Sequence, residues 1–366
     1  MKKVYILGAG ASASFQFEKG RCPTVSEFFI RASDLGLFER YRQEGMMEPL
    51  FRFVQQQFGV SKKELRRSPV NIEHVLTRLE TILDEFETYG QYQLKGQTRR
   101  TKKRVTLSGL RFQITTFICH VLLEITHENL CPFHCRLARS LSKGDAVITF
   151  NYDLLMDSAL EASGRWSPYS GYGLKFKAAI EGNELVTISG TSTSDVLCLK
   201  LHGSLNWLHG HSPWNTIYNY PIRYGQDVFL LRKISHLVES GPTDVAGKYE
   251  HVENGVYYDL HSLIVAPRAD KPYESFPKVF NELWDKATKS VQQADELVIV
   301  GYSIPETDIR SKELIRAARS IRKQIAFTVV DKAPRPVVDK LQALLGYAPL
   351  KIYESFEEYI GSLGQQ

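Results

Sequence analysis

Asn151, Asp153 and His202 carry the groups in this chain best suited to chemistry, and all three follow short apolar runs. Asn151 and Asp153 lie in TFNYD (149–153), at the end of Ala146–Phe150. His202 lies in KLHGSLNW (200–207), after Val196–Leu201. A carboxamide donates and accepts hydrogen bonds at once, so Asn151 suits the orientation of a sugar hydroxyl or a water. An imidazole of ordinary pKa, about 6.5, takes a proton from such a group near neutral pH, and this is the role open to His202. An aspartate of ordinary pKa, about 3.9, is a weak base at neutral pH. Asp153 therefore fits a holding role, on a ligand amide or on its own loop. Each residue also has a reading without chemistry: Asn151 as a turn former, Asp153 as the cap of a helix from Leu154, His202 as a structural histidine. His209 and His211, in LHGHS, rank below His202.

The N-terminus supplies a group for these residues to act on. Val4–Leu7 reads as a short buried strand running into Gly8-Ala9-Gly10-Ala11-Ser12-Ala13, which satisfies G-x-G-x-x-A. In such a turn the first glycine permits the bend, the second admits a pyrophosphate, and the small third position lets the following helix pack on the strand. An ordinary dinucleotide dehydrogenase would next show a second strand ending in an acidic residue. Here VSEFFIRASDLGLFERY (25–41) reads as helix, with Asp34 inside it, so the hydride-transfer pattern stops at its second element.

The remaining elements must bring these motifs together. Asp145 onward reads as strand Ala146–Phe150 and helix Leu154–Ser163. After a Gly/Tyr/Ser-rich stretch (163–173) come a hairpin and strand Val196–Leu201. SLIVAPRADKP (262–272) reads as a strand and loop, and Phe276–Ala294 as a helix. Strands at Glu296–Val300, Ile325–Val330 and Leu350–Tyr353 then alternate with helices at Asp308–Ser320, Arg335–Leu345 and the C-terminus. This alternation predicts an α/β fold: a Rossmann-like parallel sheet with helices on both faces, plus a helical and an irregular insertion. The expected domains are a Rossmann-like unit of residues 1–44 and 141–366, irregular at about 210–260, and a helical subdomain of 45–140. In the helical subdomain Asn71 caps a helix with an apolar stripe of Ile72, Val75, Leu76, Leu79, Ile82, Leu83 and Phe86, which reads as core packing. A second helix is expected from about Leu107 to Asn129. Because sheets of this class bind ligands beyond the carboxyl ends of their strands, the motifs should open on one crevice.

Composition limits the classes. With 43% hydrophobic and 24% charged residues, the chain of 366 residues is ordinary for a globular protein. No apolar run is long enough to cross a membrane. Lys2-Lys3 followed by an apolar stretch and Ala11-Ser12-Ala13 imitates a signal peptide, but glycine interrupts it after Leu7, and a buried strand is the better reading. Five cysteines without framework spacing read as reduced thiols of a cytoplasmic protein. Cys131, His134 and Cys135 lack a clear fourth ligand, so no metal is expected. KGQTRRTKKR (95–104) packs six basic residues into ten positions. It reads as a solvated loop, with direct nucleic-acid contact as the alternative.

In chain order, GAGAS (8–12), TFNYD (149–153), LHG (201–203) and GYSIPETD (301–308) with VVDK (329–332) resemble the sirtuin family, NAD-consuming enzymes on a Rossmann-like fold. The resemblance runs from end to end between insertions. There are departures. The chain has no C-x-x-C pair for the structural zinc of deacylating sirtuins. Phe150 replaces the family's glutamine before the loop asparagine, and only Pro23 remains of its proline-aspartate-phenylalanine-arginine segment. In these features the chain is similar to the sirtuin-like NAD hydrolases of bacterial antiviral defence. The resemblance implies NAD+ as substrate, cleaved to nicotinamide and ADP-ribose, so that activation depletes the cell's NAD. It also implies a protein partner acting as sensor or activator, such as an ATPase or an Argonaute-like protein; an oligomer is expected. Asn151, His202 and Asp153 would be catalytic. Gly8, Ala9, Gly10, Ser12, Gly203, Ser204, Gly301, Ser303, Asp308 and Asp331 would bind NAD+, with Ser303 and Asp308 toward the ribose-phosphate, Asp331 toward the adenosine, and Ser204 on the adenosine ribose or on its own loop. Ser204 has no G-x-S-x-G elbow and is not read as a nucleophile. The competing activities are NAD-dependent deacylation, ADP-ribosyl transfer, and non-catalytic sensing of NAD or ADP-ribose.

Overall fold

The computed structural model describes residues 1–90, 97–126, 129–181, 184–188, 193–211, 224–232, 250–253, 256–265, 278–319 and 325–363. Six strands form the expected parallel sheet: β1 (Lys3–Leu7), β2 (Ala146–Thr149), β5 (Leu197–Lys200), β10 (Glu296–Val300), β11 (Ala326–Val330) and β12 (Lys351–Tyr353). Their spatial order is β12-β11-β10-β1-β2-β5. Counting only these six in chain order, this is the 3-2-1-4-5-6 arrangement of dinucleotide-binding folds, with the reversal at β1. Each inner strand is short and mostly apolar, buried throughout in β2 and β10 and in all but its first residue in β1 and β11, as a parallel sheet covered on both faces requires. The covering helices include α7 (Pro132–Ser140), α8 (Leu155–Ala162), α9 (Val279–Gln292), α10 (Ile309–Arg316), α11 (Pro334–Leu345) and α12 (Phe356–Ser362).

Register aligns the motifs. Tyr353, Val330, Val300, Leu7, Thr149 and Lys200 form one row across the sheet. Gly8, Phe150, Leu201, Gly301 and Asp331 each follow a strand directly, and each donates its backbone N–H to the last residue of a neighbouring strand at 2.8–3.1 Å. Four motifs far apart in sequence therefore emerge at one edge.

The expected irregular insertion holds instead the core of a second sheet. Its strands are β3 (Ala179–Glu181), β4 (Glu184–Val186), β6 (Gly203–His211), β7 (Tyr224–Leu231), β8 (Glu250–Glu253) and β9 (Val256–Ile264), in the order β4-β3-β7-β6-β9-β8. The β3–β4 hairpin falls where a hairpin is expected, and the strand expected from Ser262 is the end of β9. β7 and the start of β9 fall in the stretch that reads as irregular, and β6 in the motif after the strand Val196–Leu201. Side chains alternate between two cores: Trp207, Val228, Leu230 and Leu263 pack with the parallel sheet, and Leu205, Leu208, Phe229, Leu231, Leu260 and Ile264 with the helices. A central strand covered on both faces loses the apolar–polar alternation that marks a half-exposed strand. Residues 212–223 and 233–249, and the 266–277 stretch with the expected loop after Ile264, lie outside the described residues.

The helical layer differs in detail. The segment 25–41 is two helices, α2 (Phe28–Asp34) and α3 (Leu37–Gln43), separated at Gly36 with φ +71°. α4 (Glu48–Phe58) follows, then α5 (Ile72–Gly90), whose Asn71 cap accepts the N–H groups of Glu73 and His74 at 2.9 and 3.1 Å. α6 (Gln97–Thr126) begins earlier than expected and takes in residues 97–104 of the basic run. Lys, Arg and Gln are good helix formers, so charge density does not stop a helix. Among the described residues no helix is long and apolar enough to cross a membrane.

Candidate active site

Beyond the ends of β1 and β2 lies a pocket lined by Ala9, Ser12, Phe150, Asn151, Tyr152 and Asp153 from the sheet and by Cys22, Pro23, Val25, Phe28, Glu73 and Leu122 from the layer above. The one-turn helix α1 (Ala9–Ala13) forms part of its floor. Asn151 donates from Nδ2 to the Gly8 carbonyl at 2.8 Å and to Ser12 Oγ at 2.9 Å. Ser12 in turn donates to Asp153 Oδ2 at 2.7 Å, and Asp153 Oδ1 accepts the Leu155 N–H at 3.0 Å. Asp153 thus ties the glycine turn with one oxygen and the first residue of α8 with the other. TFNYD and the glycine turn form a single hydrogen-bonded unit, with the Asn151 carboxamide half-buried at the pocket.

The glycines have a structural reason to be small. A Cβ on Gly8 would stand 2.5 Å from the Gly301 carbonyl oxygen, and one on Gly10 2.7 Å from Gly301 Cα. The two turns pack backbone on backbone where the strand order reverses, with Gly10 N–H donating to Gly301 O at 2.9 Å. Close approach of chain to chain therefore accounts for the glycines at 8, 10 and 301 on its own.

His202 is elsewhere than expected. It is the corner residue between β5 and β6, where the chain leaves the parallel sheet for the second sheet, and it is 3% exposed. Its Nε2 lies 3.3 Å from Asp308 Oδ2, and its ring packs on Phe150 at 4.9 Å. Phe150 lines the pocket; His202 does not. Phe150 also stacks on Tyr302 at 4.3 Å, and the Tyr302 hydroxyl donates to Asp308 at 3.1 Å. Burial, with the Asp308 charge added, pushes the Tyr302 phenol well above its usual range, so it remains a donor. Asp308 caps α10 through Ser311 N–H at 3.2 Å and is enclosed.

The other expected site residues are dispersed. Gly203 has φ +87°, and a Cβ there would meet the Leu263 carbonyl oxygen at 1.9 Å, so it makes the corner. Ser204 is fully buried and donates to Asn206 Oδ1 at 2.7 Å. Ser303 is exposed, and its carbonyl accepts from Lys340 at 2.9 Å. Asp331 follows β11 and accepts the Ala333 N–H at 2.8 Å. His209 is fully buried in β6. Trp207 packs edge-on against Tyr172 at 5.1 Å. Cys131 and His134 are buried at the start of α7, Cys135 is half-buried, and burial holds the His134 imidazole down at about 4. Among the described residues no cluster of three or more His, Cys, Asp or Glu is placed to hold a metal ion.

Three contributors escaped the sequence reading. Glu73 and Cys22 reach the pocket from the upper layer, with no motif to mark them. Lys200, the first residue of KLHGSLNW, is 1% exposed; it donates to the Asp153 carbonyl and pairs with Asp157 Oδ2 at 3.0 Å. A lysine ending an apolar strand was the available signal, since a buried lysine is almost always paired. Four ionisable side chains line the pocket: the carboxylates Glu73 and Asp153, the Cys22 thiol and the Tyr152 phenol. Burial pushes the Cys22 thiol and the Tyr152 phenol well above their usual ranges, so both are neutral at pH 7.

No protein-family model matches the chain, and no curated protein does. Solved structures of sirtuins are similar over its whole length. One, from work on sirtuin substrate affinity, is 13% identical with a TM-score of 0.43, covering 100% of this chain and 93% of that one. Another, from work on the mechanism and regulation of Sir2 enzymes, is 14% identical with a TM-score of 0.42, covering 100% and 91%. A Sir2 with a p53 peptide and NAD+ is 11% identical with a TM-score of 0.35, covering 100% and 92%.

Proposed function

We propose that the chain is an NAD+ glycohydrolase that releases nicotinamide and ADP-ribose. The observation that carries this reading is the Asn151 carboxamide at a carboxylate-walled pocket, hydrogen-bonded to the glycine turn at the reversal point of a 3-2-1-4-5-6 sheet. Motif wording adds the sirtuin-like resemblance. Nicotinamide leaves NAD+ as a neutral molecule from a cationic ring, so the leaving group needs no proton. The barrier is the positive charge that develops at the anomeric carbon of the ribose. A fixed polar wall carrying negative charge lowers it by positioning and electrostatics.

In this reading Asn151 orients the ribose and the attacking water. Ser12 and Asp153 fix Asn151, and the turn at residues 8–12 takes the ribose-phosphate side. His202, oriented by Asp308, accepts the water's proton once the Phe150 ring swings off it. The closed arrangement then corresponds to a resting state, and a sensor or activator partner opens it. Depletion of NAD by the opened form would serve as antiviral defence.

Mass spectrometry of NAD metabolites tests this in cells expressing the intact chain, alone and with its genomic neighbours. NAD+ should fall while nicotinamide and ADP-ribose rise. An unchanged NAD pool in every arm would overturn the reading. Acyl-ADP-ribose formed only with an acylated peptide would identify a deacylase, and tight NAD+ binding without turnover a sensing module.

A further inference from the structure

The turn after β10 is strained. Ile304 in GYSIPETD has φ +52°. A β-branched residue is an outlier in that left-handed region, and the proline that follows steers Ile304 toward extended backbone instead. Such a conformation persists only where its surroundings impose it. From inside, the Ile304 side chain is fully buried in the core of the parallel sheet. From outside, Lys340 of α11 donates from Nζ to both the Ser303 and the Ile304 carbonyls, each at 2.9 Å. The same ammonium lies 3.9 Å from Glu306 Oε1, and Lys312 of α10 donates to the Glu306 carbonyl at 3.2 Å. Glu306 is exposed and Lys340 half-buried, so this outer hold lies at the surface.

The same turn carries two residues into the site. Tyr302 stacks on Phe150 at 4.3 Å, with the rings 17° apart, and Phe150 also packs on His202 at 4.9 Å. The Tyr302 hydroxyl donates to Asp308 Oδ2 at 3.1 Å, the oxygen that lies 3.3 Å from His202 Nε2. Phe150 lines the pocket, so the ring that screens His202 from it is backed by Tyr302. Movement of the turn takes Tyr302 with it and releases Phe150 on that side.

We propose that residues 302–308 are a strained latch on the site and that Lys340 is its catch. When the ammonium leaves the two carbonyls, Ile304 relaxes out of the left-handed region, Tyr302 withdraws from Phe150, and the pocket opens toward His202. The inference rests on the NAD+ cleavage reading and supplies its regulation: the resting state is the latched one. Lys340 acts through the turn and touches no substrate, so it is a positioning residue.

The test compares wild type, Lys340→Met, Lys340→Arg and Glu306→Gln as purified full chains without any other gene product. Each is read by nicotinamide release from NAD+, by amide hydrogen exchange across 302–308, and by a thermal melt. Met keeps the stem of Lys340 and removes its charge and donors. Lys340→Met should release nicotinamide about tenfold faster or more, the scale of one hydrogen bond from a charged donor. Its exchange should rise at 302–308 and stay as in wild type at β1 and β2. Arg can still donate to both carbonyls, so Lys340→Arg should stay near wild type in rate and exchange, as should Glu306→Gln. Wild-type exchange at 302–308 in Lys340→Met, or a resting rate no higher than wild type in a chain that cleaves NAD+, would overturn the latch and leave the cleavage reading standing. Faster exchange across the whole sheet with a lowered melting temperature would make Lys340 a structural residue only and overturn it too. Local opening in a Lys340→Met protein that, like wild type, leaves NAD+ intact would sink the cleavage reading and leave the latch. Wild-type exchange in proteins that all leave NAD+ intact would sink both.

Discussion

His202 Nε2 and Asp308 Oδ2 lie 3.3 Å apart, and neither side chain reaches solvent. The two residues come from opposite wings of the sheet, His202 after β5 and Asp308 at the cap of α10 after β10, and they meet beside Phe150 and Tyr302. Such a pair fixes the ring orientation and stabilises the charge an imidazole gains when it takes a proton. Asp308→Asn separates this role from the cap, because Asn caps helices as well as Asp does. It should leave the melting temperature near wild type and reduce NAD+ cleavage by about 10²-fold or more, toward the His202→Ala level. Steady-state kinetics with a parallel melt checks it.

Lys200 supports the site from below. Its ammonium pairs with Asp157 and holds the Asp153 carbonyl; Asp157 also accepts from Tyr172, whose hydroxyl takes an Asn206 amide N–H at 3.1 Å. Removing one partner leaves a buried charge, so Lys200→Met should cost about 3–5 kcal/mol in denaturant unfolding. Adding Asp157→Asn removes the stranded charge, so the double variant should recover part of that loss. A double variant as unstable as the sum of the singles would mean the two groups are not coupled.

Gly203 turns the chain between sheets. Gly203→Ala would place a methyl 1.9 Å from the Leu263 carbonyl oxygen in a backbone with φ +87°. The backbone strain alone costs about 1–3 kcal/mol, before the clash. The loss should appear in a melt without any nucleotide, since the glycine serves the corner.

Acid should weaken the helical layer at His120. The imidazole accepts from the Tyr41 hydroxyl at 3.0 Å and lies 3.2 Å from the Arg40 guanidinium; burial, then that positive charge, lowers its pKa from 6.5 to about 4. The unfolded chain therefore binds a proton that the folded one refuses. Stability from this residue is whole above about pH 6.5 and is lost as pH falls from there toward 4, at up to about 1.4 kcal/mol per pH unit. Unfolding midpoints at pH 7, 6 and 5 should fall, and His120→Gln should flatten part of the slope. An equal slope in both proteins would contradict the assignment.

What the sequence reveals follows the range of the interactions involved. The strands of the parallel sheet are legible because each is a short apolar run closed by a glycine or polar turn. The link among Ser12, Asn151 and Asp153 is legible because register carries motif to motif across β1 and β2. Most of the second sheet is hidden: among the described residues β6, Val228–Leu231 of β7 and the end of β9 are buried on both faces, so the alternation of a half-exposed strand is lost, and the Tyr, His and Gly content of this region imitates a loop. Glu73 is hidden for another reason. The apolar stripe of α5 reads correctly as packing, but which residue of its first turn meets the pocket depends on how 23–28 folds over the sheet. The covering of His202 by Phe150 is tertiary too, since only the corner at Gly203 decides which way the imidazole faces.

The most direct test is product analysis of purified chain with NAD+, in the presence and absence of the products of its neighbouring genes and without any acylated peptide, for wild type and Asn151→Ala. The account predicts nicotinamide and ADP-ribose in equal amounts from wild type, and neither from an Asn151→Ala protein that melts normally. Equal release by Asn151→Ala, or intact NAD+ after incubation of wild type with and without the products of its neighbouring genes, would contradict it.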